Sequence, residues 1–239
     1  MPKHNIKAFL DGAQIAQAIF TLRPDYRELL MAVENIVAGA SNDTSEQMLR
    51  DAEEAVRTTL AKQGVTTIPH IAAWREAYTA FGTKPNKNRN SLEALTRRAE
   101  KGVPRVNRLT DIYNAISVKH QIPLGGEDLD KYTDSPRLIR ASSAEQFLTT
   151  ASGETITEHP GNGEVVWCDG DYITCHHWNW RQSFRTALDD NTTGALFIFD
   201  AIEPVSDESL QAAGDELRGS LLELGPEVEV EQRIIGKDS

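Results

Sequence analysis

The chain has 239 residues, of which 39% are hydrophobic and 26% charged, a balance typical of a globular protein with one substantial core. Its 36 acidic residues outnumber the 25 basic ones and give a net charge of -11, which argues against a general basic surface for DNA or other nucleic acids. No apolar run approaches the roughly 20 residues that span a membrane. Residues 1–10 lack the apolar segment of a signal peptide, and two cysteines cannot build a disulfide framework. We therefore expect a cytoplasmic protein with no membrane partner.

The first half of the chain is mainly helical in its pattern. The apolar run at 29–37 predicts a buried strand, and polar breakers follow it. Apolar residues at helical spacing then recur up to residue 121. Four helices are predicted: 45–62, 68–81, 91–102 with Ser91 as its N-cap, and 111–121 with Thr110 as its N-cap.

After Pro123 the pattern changes to short β-rich runs separated by Gly, Asp and Asn turns. Asp169-Gly170 predicts a hairpin turn between antiparallel strands at 164–168 and 172–178. A last helix over 207–224 is expected to pack on this sheet before a polar tail. The chain is therefore predicted to fold as a single domain of the α+β class.

A basic stretch in the middle of this acidic chain is a candidate RNA surface. It places eight Lys and Arg residues on a loop and the following helices: Lys84, Lys87, Arg89, Arg97, Arg98, Lys101, Arg105 and Arg108. The alternative is an ordinary solvated helix with its loops, since runs of charge are usually that.

The segment GGEDLDK at 125–131 is the first candidate for chemistry. Gly125 and Gly126 permit close approach of a ligand, and Glu127 and Asp128 supply carboxylates for an amine, a metal or a ribose hydroxyl. The alternative is that Asp128 and Asp130 cap a turn or a following helix. The spacing does not fit a twelve-residue calcium loop.

The segment HHWNWRQS at 176–183 is the second candidate. Strand alternation predicts that His177, Asn179 and Arg181 share one face, with Trp178 and Trp180 on the other face as core residues. The polar face would suit a nucleotide or an amino-acid ester, and a buried Arg181 would need an anionic partner.

No cofactor or metal site is predicted. The zinc-type ligands near the hairpin lack the paired short spacing of a structural zinc site: Cys168, Cys175, His176 and His177. The sequence also contains no GxSxG elbow, P-loop, GxGxxG fingerprint or HExxH pair.

These motifs resemble, in order, the editing and tRNA-binding domain of the phenylalanyl-tRNA synthetase beta chain, its B-three/B-four module, and more closely the free-standing proteins built from it. The similarity covers about 68–204, through AWREAYTAFGTKPNKNRNSLEALTRRAEKG, YNAISVKHQIPLGGEDLDK, IRA, GEVVWCDG and WNWRQSFRT. Residues 1–67 are matched weakly, and 205–239 form a C-terminal helix and tail. The resemblance implies a layered β/β/α sandwich with an N-terminal α/β annex, and a role in hydrolysing mischarged aminoacyl-tRNA in trans.

The resemblance also assigns residues one at a time. Asn114 lies at the family's asparagine on the pocket helix. Asp128 matches the aspartate of the family's Pro-Leu-His-Ala-Phe-Asp motif, in which Gly125 here replaces the histidine. Arg140 matches its Arg-Xaa-Ala strand, and Asp200, a shorter acid, falls near the glutamate that reads a tyrosine hydroxyl.

Ester hydrolysis needs a positioned water, donors for the oxyanion and a group that holds the substrate amine. The predicted catalytic residues are Asn114, Glu127 and Asp128. The predicted substrate-binding residues are Gly125, Gly126, Arg140, Asn179, Arg181 and Asp200. The predicted tRNA-binding residues are Lys84, Lys87, Arg89, Arg97 and Arg98.

Three functions follow from this reading. The first is a cytoplasmic tRNA-binding protein that acts as a trans-editing aminoacyl-tRNA deacylase. The second is a non-catalytic module that binds tRNA or a free amino acid, because Gly125 replaces the only histidine of the pocket motif. The third is an enzyme that uses the same pocket for a small molecule.

Overall fold

A computed structural model describes residues 5–151 and 153–237. Its helices are α1 (Ile6–Asp11), α2 (Gln17–Leu22), α3 (Asp43–Leu60), α4 (Pro69–Ala80), α5 (Ser91–Ala99), α6 (Arg108–His120) and α7 (Asp207–Leu222). Its strands are β1 (Gln14–Ile15), β2 (Arg27–Glu34), β3 (Leu124–Asp128), β4 (Arg137–Arg140), β5 (Phe147–Ala151), β6 (Glu154–Glu158), β7 (Val165–Asp169), β8 (Tyr172–His176), β9 (Arg181–Gln182), β10 (Gly194–Ala201) and β11 (Glu229–Ile235). The strands form sheets of five, four and two members. This mixed fold with several sheets confirms the predicted α+β class.

The four-stranded sheet, in the order β11-β2-β10-β3, is antiparallel throughout. All of β10 and all of β2 except Arg27 are buried, which explains why both strands are almost continuously apolar. One face packs on α6 and α7 through residues such as Met31 and Phe197. The opposite face packs on the five-stranded sheet through residues such as Leu30 and Leu196. The sheet therefore separates a helical layer from a second layer of strands.

The five-stranded sheet, in the order β1-β4-β7-β8-β9, is antiparallel except for the β1–β4 pair. Its central hairpin is present as predicted, but Asp169 still pairs with Tyr172, so the loop consists of Gly170 and Asp171, one residue later than expected. Gly170 adopts a positive φ of 54°, which suits the first position of such a loop. The two-stranded sheet is the β5–β6 hairpin. None of the helices within the described residues is long and apolar enough to cross a membrane.

The predicted helices are all present, but α3 and α6 begin earlier than expected, and the N-caps of α5 and α6 are not the predicted residues. Asn90, not Ser91, caps α5 by accepting a hydrogen bond of 2.8 Å from the amide of Glu93. Asn107, not Thr110, caps α6 by accepting one of 2.8 Å from the amide of Thr110. Asparagine is as good an N-cap as serine, so the earlier polar residue begins the helix in each case.

The N-terminal part is not an annex, contrary to expectation. β2 lies between β11 and β10 and pairs with β10 from Arg27↔Ala201 to Glu34↔Gly194. An apolar strand buried on both faces is stable only when its backbone is paired on both edges. The predicted polar tail is also wrong in part, because β11 occupies the other edge of β2. The proposed division of the chain at residues 68 and 205 stays a prediction.

Candidate functional site

A cavity of about 540 Å³ opens between the two large sheets, at the edge strand β3 and beside α5 and α6. Five of the predicted catalytic and substrate-binding residues line it: Asn114, Gly125, Glu127, Asn179 and Asp200. Four of the predicted tRNA-binding residues also line it: Lys87, Arg89, Arg97 and Arg98. The fold therefore brings together side chains that are separated by more than one hundred residues of sequence.

Asp200 forms one polar end of the cavity. It is 2% exposed, and its two oxygens accept hydrogen bonds from the Tyr26 hydroxyl at 2.5 Å and from Nδ2 of Asn179 at 3.2 Å. Asn179 is fixed in turn, because its Oδ1 accepts a hydrogen bond of 2.8 Å from the Tyr78 hydroxyl. These contacts fix the orientation of both cavity-lining side chains.

The carboxyl group of Asp200 is poised between its charged and neutral forms. Burial raises the pKa of Asp200 to about 7, although the hydrogen bonds from Tyr26 and Asn179 favour the charged form. Glu28 is directly opposite Asp200 across the β2–β10 pair and is fully buried. Burial, and then repulsion from Asp200, raises the pKa of Glu28 well above its usual range. The interior is therefore rich in acidic groups.

Glu127 is the second carboxyl group of the interior. It is 3% exposed, and its Oε2 accepts a short hydrogen bond from the Tyr132 hydroxyl. Burial raises the pKa of Glu127 to about 7, while the hydrogen bond from Tyr132 favours the carboxylate. A carboxyl group with such a pKa can accept a proton from water near neutral pH.

The two adjacent glycines of β3 have opposite environments. A Cβ atom on Gly125 would meet no atom within 4 Å, and Gly125 lines the cavity. A Cβ atom on Gly126 would lie 2.9 Å from side-chain atoms of Tyr113, Phe197 and Leu188. Because side chains alternate along a strand, Gly125 leaves space for a ligand and Gly126 permits close packing on the helical layer.

Aromatic and amide side chains complete the interior. Trp167 and Trp178 are buried, whereas Trp180 and Tyr113 are partly exposed, and all four line the cavity. The indole N–H groups of Trp167 and Trp178 lie beside the Asp200 carboxyl group and favour its charged form. Asn114, 8% exposed, reaches the cavity from α6.

Basic side chains from the loop after α4 and from α5 form the rim of the cavity. Arg97 is held by Glu93 at 2.8 Å, and Arg89 lies 3.7 Å from the same carboxylate. Lys87 and Arg98 also line the cavity, and neither forms an ion pair with any described residue. Because Glu93 is fully buried and also binds Arg75 at 2.9 Å, this rim carries a local positive charge in an acidic protein.

The turn at 177–180 connects the rim to the interior. His177 and Trp178 both have positive φ, 45° and 68°, so the strand alternation predicted for HHWNWRQS is wrong. The His177 ring contacts Nδ2 of Asn88 in the basic loop at 2.7 Å. The Asn179 carbonyl accepts a hydrogen bond of 2.9 Å from the Ser91 amide at the start of α5.

Several predicted site residues lie elsewhere. Arg181 binds Thr149 at 2.6 Å and packs over the Phe147 ring, on the side of the β5–β6 hairpin. It left the predicted polar face because the left-handed turn ends the strand alternation. Asp128 faces away from the cavity, where its Oδ2 accepts a hydrogen bond of 2.9 Å from Thr192.

The remaining three predicted residues are also outside the cavity lining. Arg140, the last residue of β4, lies near Gly163, and Lys84 is an exposed residue of the loop after α4. Gly126 faces the helical layer. The functional roles of the lining and non-lining residues alike stay predictions.

Sequence reasoning missed the tyrosines that orient the two carboxyl groups. Tyr26 is 174 residues from Asp200, and no local pattern connects them. Tyr132 is five residues after Glu127, yet it reaches the carboxylate only because the short helix Leu129–Lys131 turns the chain back. Gln182 was also not predicted as a site residue, although it lines the cavity and donates a hydrogen bond of 2.7 Å to the Gly126 carbonyl.

The cysteine and histidine cluster is dispersed in the fold. Cys175 lines the cavity, but burial raises the pKa of its thiol well above the usual range. His176 and His177 both contact Glu164, at 2.5 and 3.2 Å. Within 5–151 and 153–237, no three His, Cys, Asp or Glu residues are arranged to hold a metal ion.

The geometry defines an α+β domain with a cavity that has a basic rim and an acidic, aromatic interior. The B3/4 domain family matches residues 73–214, more than half of the chain, and the chain belongs to that family. This confirms the family predicted from the sequence.

Among solved structures, the chain is similar to an N-terminal fragment of the phenylalanyl-tRNA synthetase beta-subunit from Pyrococcus horikoshii, with 13% sequence identity and a TM-score of 0.48. The match covers 95% of this chain and 52% of that one, so the chain spans about half the length of that structure. A search of curated proteins found no match.

Proposed function

We propose that this protein is a tRNA-binding, trans-editing aminoacyl-tRNA deacylase that hydrolyses the ester of mischarged tRNA. The observation that carries the proposal is a single cavity with cationic side chains at its mouth and carboxyl groups inside. The phosphates at the end of a tRNA fit the cationic mouth, and the ammonium group of an esterified amino acid fits the carboxyl groups inside. Membership of the B3/4 domain family, whose synthetase members edit, supports the same assignment.

Lys87 and Arg98 at the rim are the strongest candidates for phosphate contacts, because no described carboxylate neutralises them. Arg97 and Arg89 add charge that Glu93 orients. The charge is local, which is consistent with a protein of net charge -11 that binds RNA at one place only.

Glu127 is the proposed general base. In the reaction, the oxygen of a water molecule bonds to the ester carbonyl carbon, and the bond from that carbon to the ribose oxygen breaks. A proton of the water passes to the Glu127 carboxylate and then to the departing ribose oxygen. Asn114 is proposed to position the water or the substrate amine, and the ester needs no protein nucleophile.

The second candidate is a module that binds tRNA or an amino acid without turnover. Glu127 is only 3% exposed and already accepts a hydrogen bond from Tyr132, so a bound ligand could leave no room for the water. The third candidate is an enzyme that binds a small-molecule substrate in the same cavity.

One experiment separates these functions. The purified protein is incubated with tRNAs that each carry one radiolabelled amino acid, and release of the amino acid is compared with spontaneous hydrolysis. Gel-shift binding is measured on the same tRNAs with Gly125→Leu, which fills the cavity, and with Lys62→Ala, an exposed residue outside it. Turnover that Gly125→Leu abolishes supports the deacylase. Binding without turnover supports the module. If neither turnover nor binding is observed, both functions are rejected.

A further inference from the structure

The interior of the cavity has the composition of a cation site. Its carboxyl groups are Glu127 and Asp200, and its other acidic groups are the thiol of Cys175 and the phenol of Tyr113, whereas the basic residues of the lining are at the rim. Neither carboxyl group forms an ion pair with a Lys, Arg or His of the described residues. Buried carboxyl groups without a cationic partner are costly. A positively charged ligand would provide that partner.

Aromatic rings surround the same space. The faces of Trp and Tyr rings attract cations through their quadrupole, and rings combined with carboxylates form the usual cage for an ammonium or guanidinium group. Trp167, Trp178, Trp180 and Tyr113 line this cavity. Trp178 lies beside the Tyr26 ring, with centroids 5.0 Å apart, and Tyr26 binds Asp200. Asp200 therefore lies next to the aromatic cluster that contains Tyr26 and Trp178.

The two carboxyl groups are placed for a ligand with two cationic ends. Glu127 pairs with Leu196 across β3 and β10, and Asp200 is four positions further along β10 on the same face. Four residues of a strand span roughly 13 Å. The two amino groups of a lysine-sized amino acid, each with a hydrogen bond at its end, cover a similar length.

We infer that the substrate amino acid of this cavity carries a positively charged side chain, which Asp200 recognises while Glu127 serves the α-ammonium and ester end. This inference rests on the proposed deacylase function. Tyr26 and Asn179 each donate a hydrogen bond to one oxygen of Asp200, and the indole N–H groups of Trp167 and Trp178 also favour its charged form. All four donors are neutral, so a cationic side chain would supply the charge that the carboxylate lacks.

The acid–base state of the two groups supports this assignment. Burial holds the pKa values of Glu127 and Asp200 at about 7 each. A cation that binds beside them favours their charged forms and lowers those values. Binding of a dibasic ligand near neutral pH must therefore release protons, whereas a neutral side chain of equal size releases fewer.

The test compares side chains on one and the same tRNA. Lysyl, arginyl and norleucyl esters are prepared on it, and norleucine matches lysine in shape without the terminal amine. We expect at least one basic ester to be hydrolysed with kcat/KM about tenfold or more above the norleucyl ester. Asp200→Asn, whose folding is checked by thermal unfolding, should remove most of that preference. Glu100→Gln, an exposed acid outside the cavity, should keep it.

The outcomes separate the two levels of the account. Equal or faster hydrolysis of the norleucyl ester overturns the inference and leaves the deacylase function standing. If none of these three esters is hydrolysed but another aminoacyl-tRNA is, the inference is overturned and the deacylase stands. If no aminoacyl-tRNA is hydrolysed at all, the deacylase fails, and calorimetry with lysinamide, argininamide and norleucinamide in two buffers of different ionisation heat then tests whether the cavity binds cations. Tighter binding and greater proton release with at least one basic amide upholds the cation site; equal binding of all three overturns it.

Discussion

The hydroxyl group of Tyr26, the residue before β2, lies 2.5 Å from Oδ1 of Asp200, the penultimate residue of β10, which lines the cavity. Both residues are almost fully buried. The contact depends on the register in which Glu28 is opposite Asp200. It orients the carboxyl group that we propose as the determinant of the substrate side chain.

Removing this hydroxyl group should change the titration of the site. Tyr26→Phe deletes a donor that favours the carboxylate, so the pKa of Asp200 should rise above its present value of about 7. Binding of a basic amino-acid amide should then need a higher pH. Calorimetric affinity measured from about pH 6 to about pH 9 checks this. An unchanged profile would show that Tyr26 does not control Asp200.

The two glycines of β3 offer a matched pair of substitutions. Gly125→Ala adds a methyl group in open space and should leave the free energy of unfolding nearly unchanged, whereas Gly126→Ala should lower it by about 1–3 kcal/mol through overpacking. Urea unfolding measures both. A similar cost for the two variants would contradict the alternation that we describe for this strand.

The basic rim should determine how RNA binding depends on salt. Lys87→Ala and Arg98→Ala should each weaken tRNA binding and reduce the slope of log K against log salt by about 1. Lys62→Ala is the control, because that exposed residue lies outside the cavity lining. A filter-binding titration at several salt concentrations checks the slopes. Equal slopes for all three variants and the wild type would exclude the rim as the RNA contact.

Arg181 and Asn179, predicted together from the sequence, should behave differently. Arg181 has its contacts on the β5–β6 hairpin, so Arg181→Ala should leave kcat/KM for the ester within about twofold of the wild type. Asn179→Ala removes a donor to Asp200 and should lower kcat/KM by about tenfold or more. Single-turnover rates on one aminoacyl-tRNA provide the comparison, and the reverse order would move the site toward the hairpin.

The buried acids should make the protein less stable as pH rises. The pKa values of Glu127 and Asp200 in the fold, about 7, are above their ordinary values of 4.5 and 3.8. The folded state therefore keeps protons that the unfolded state has lost, so this stabilisation is complete below about pH 4 and is lost by about pH 7. Glu127→Gln should reduce the stability difference between about pH 5 and about pH 8 by about 1–3 kcal/mol in urea unfolding. Glu100→Gln, the control, should leave this stability difference unchanged. An equal change in the two variants would contradict the raised pKa that we assign to Glu127.

The elements that were predicted correctly are those whose structure is specified by their own local sequence. Helical spacing gave α3 and α4, and Asp169-Gly170 gave the β7–β8 hairpin. β11 escaped prediction because its alternation of exposed acids and half-buried residues resembles a polar tail until β2 pairs with it. The cap positions were misplaced because several adjacent polar residues could begin each helix.

The site was predictable only in part, for a physical reason. Glu127 could be proposed from its segment rich in glycine and carboxylates, and Asp200 because the chain resembles a known family. The residues that donate hydrogen bonds to them, Tyr132 and Tyr26, reach them only through a turn of the chain and the register of the sheet. The segment at 176–183 misled because two successive residues, His177 and Trp178, adopt left-handed backbone conformations. Such conformations are uncommon outside glycine, and nothing in the local pattern marks them.

The most direct test of the deacylase proposal is the hydrolysis of aminoacyl-tRNA by the wild type and by Glu127→Gln. Glutamine keeps the size of the side chain but cannot accept the proton of the water. We predict that the wild type hydrolyses at least one aminoacyl-tRNA well above the spontaneous rate, and that Glu127→Gln loses about a hundredfold in kcat while still binding the tRNA. Full activity in Glu127→Gln, or no hydrolysis by the wild type across all aminoacyl-tRNAs, would contradict it.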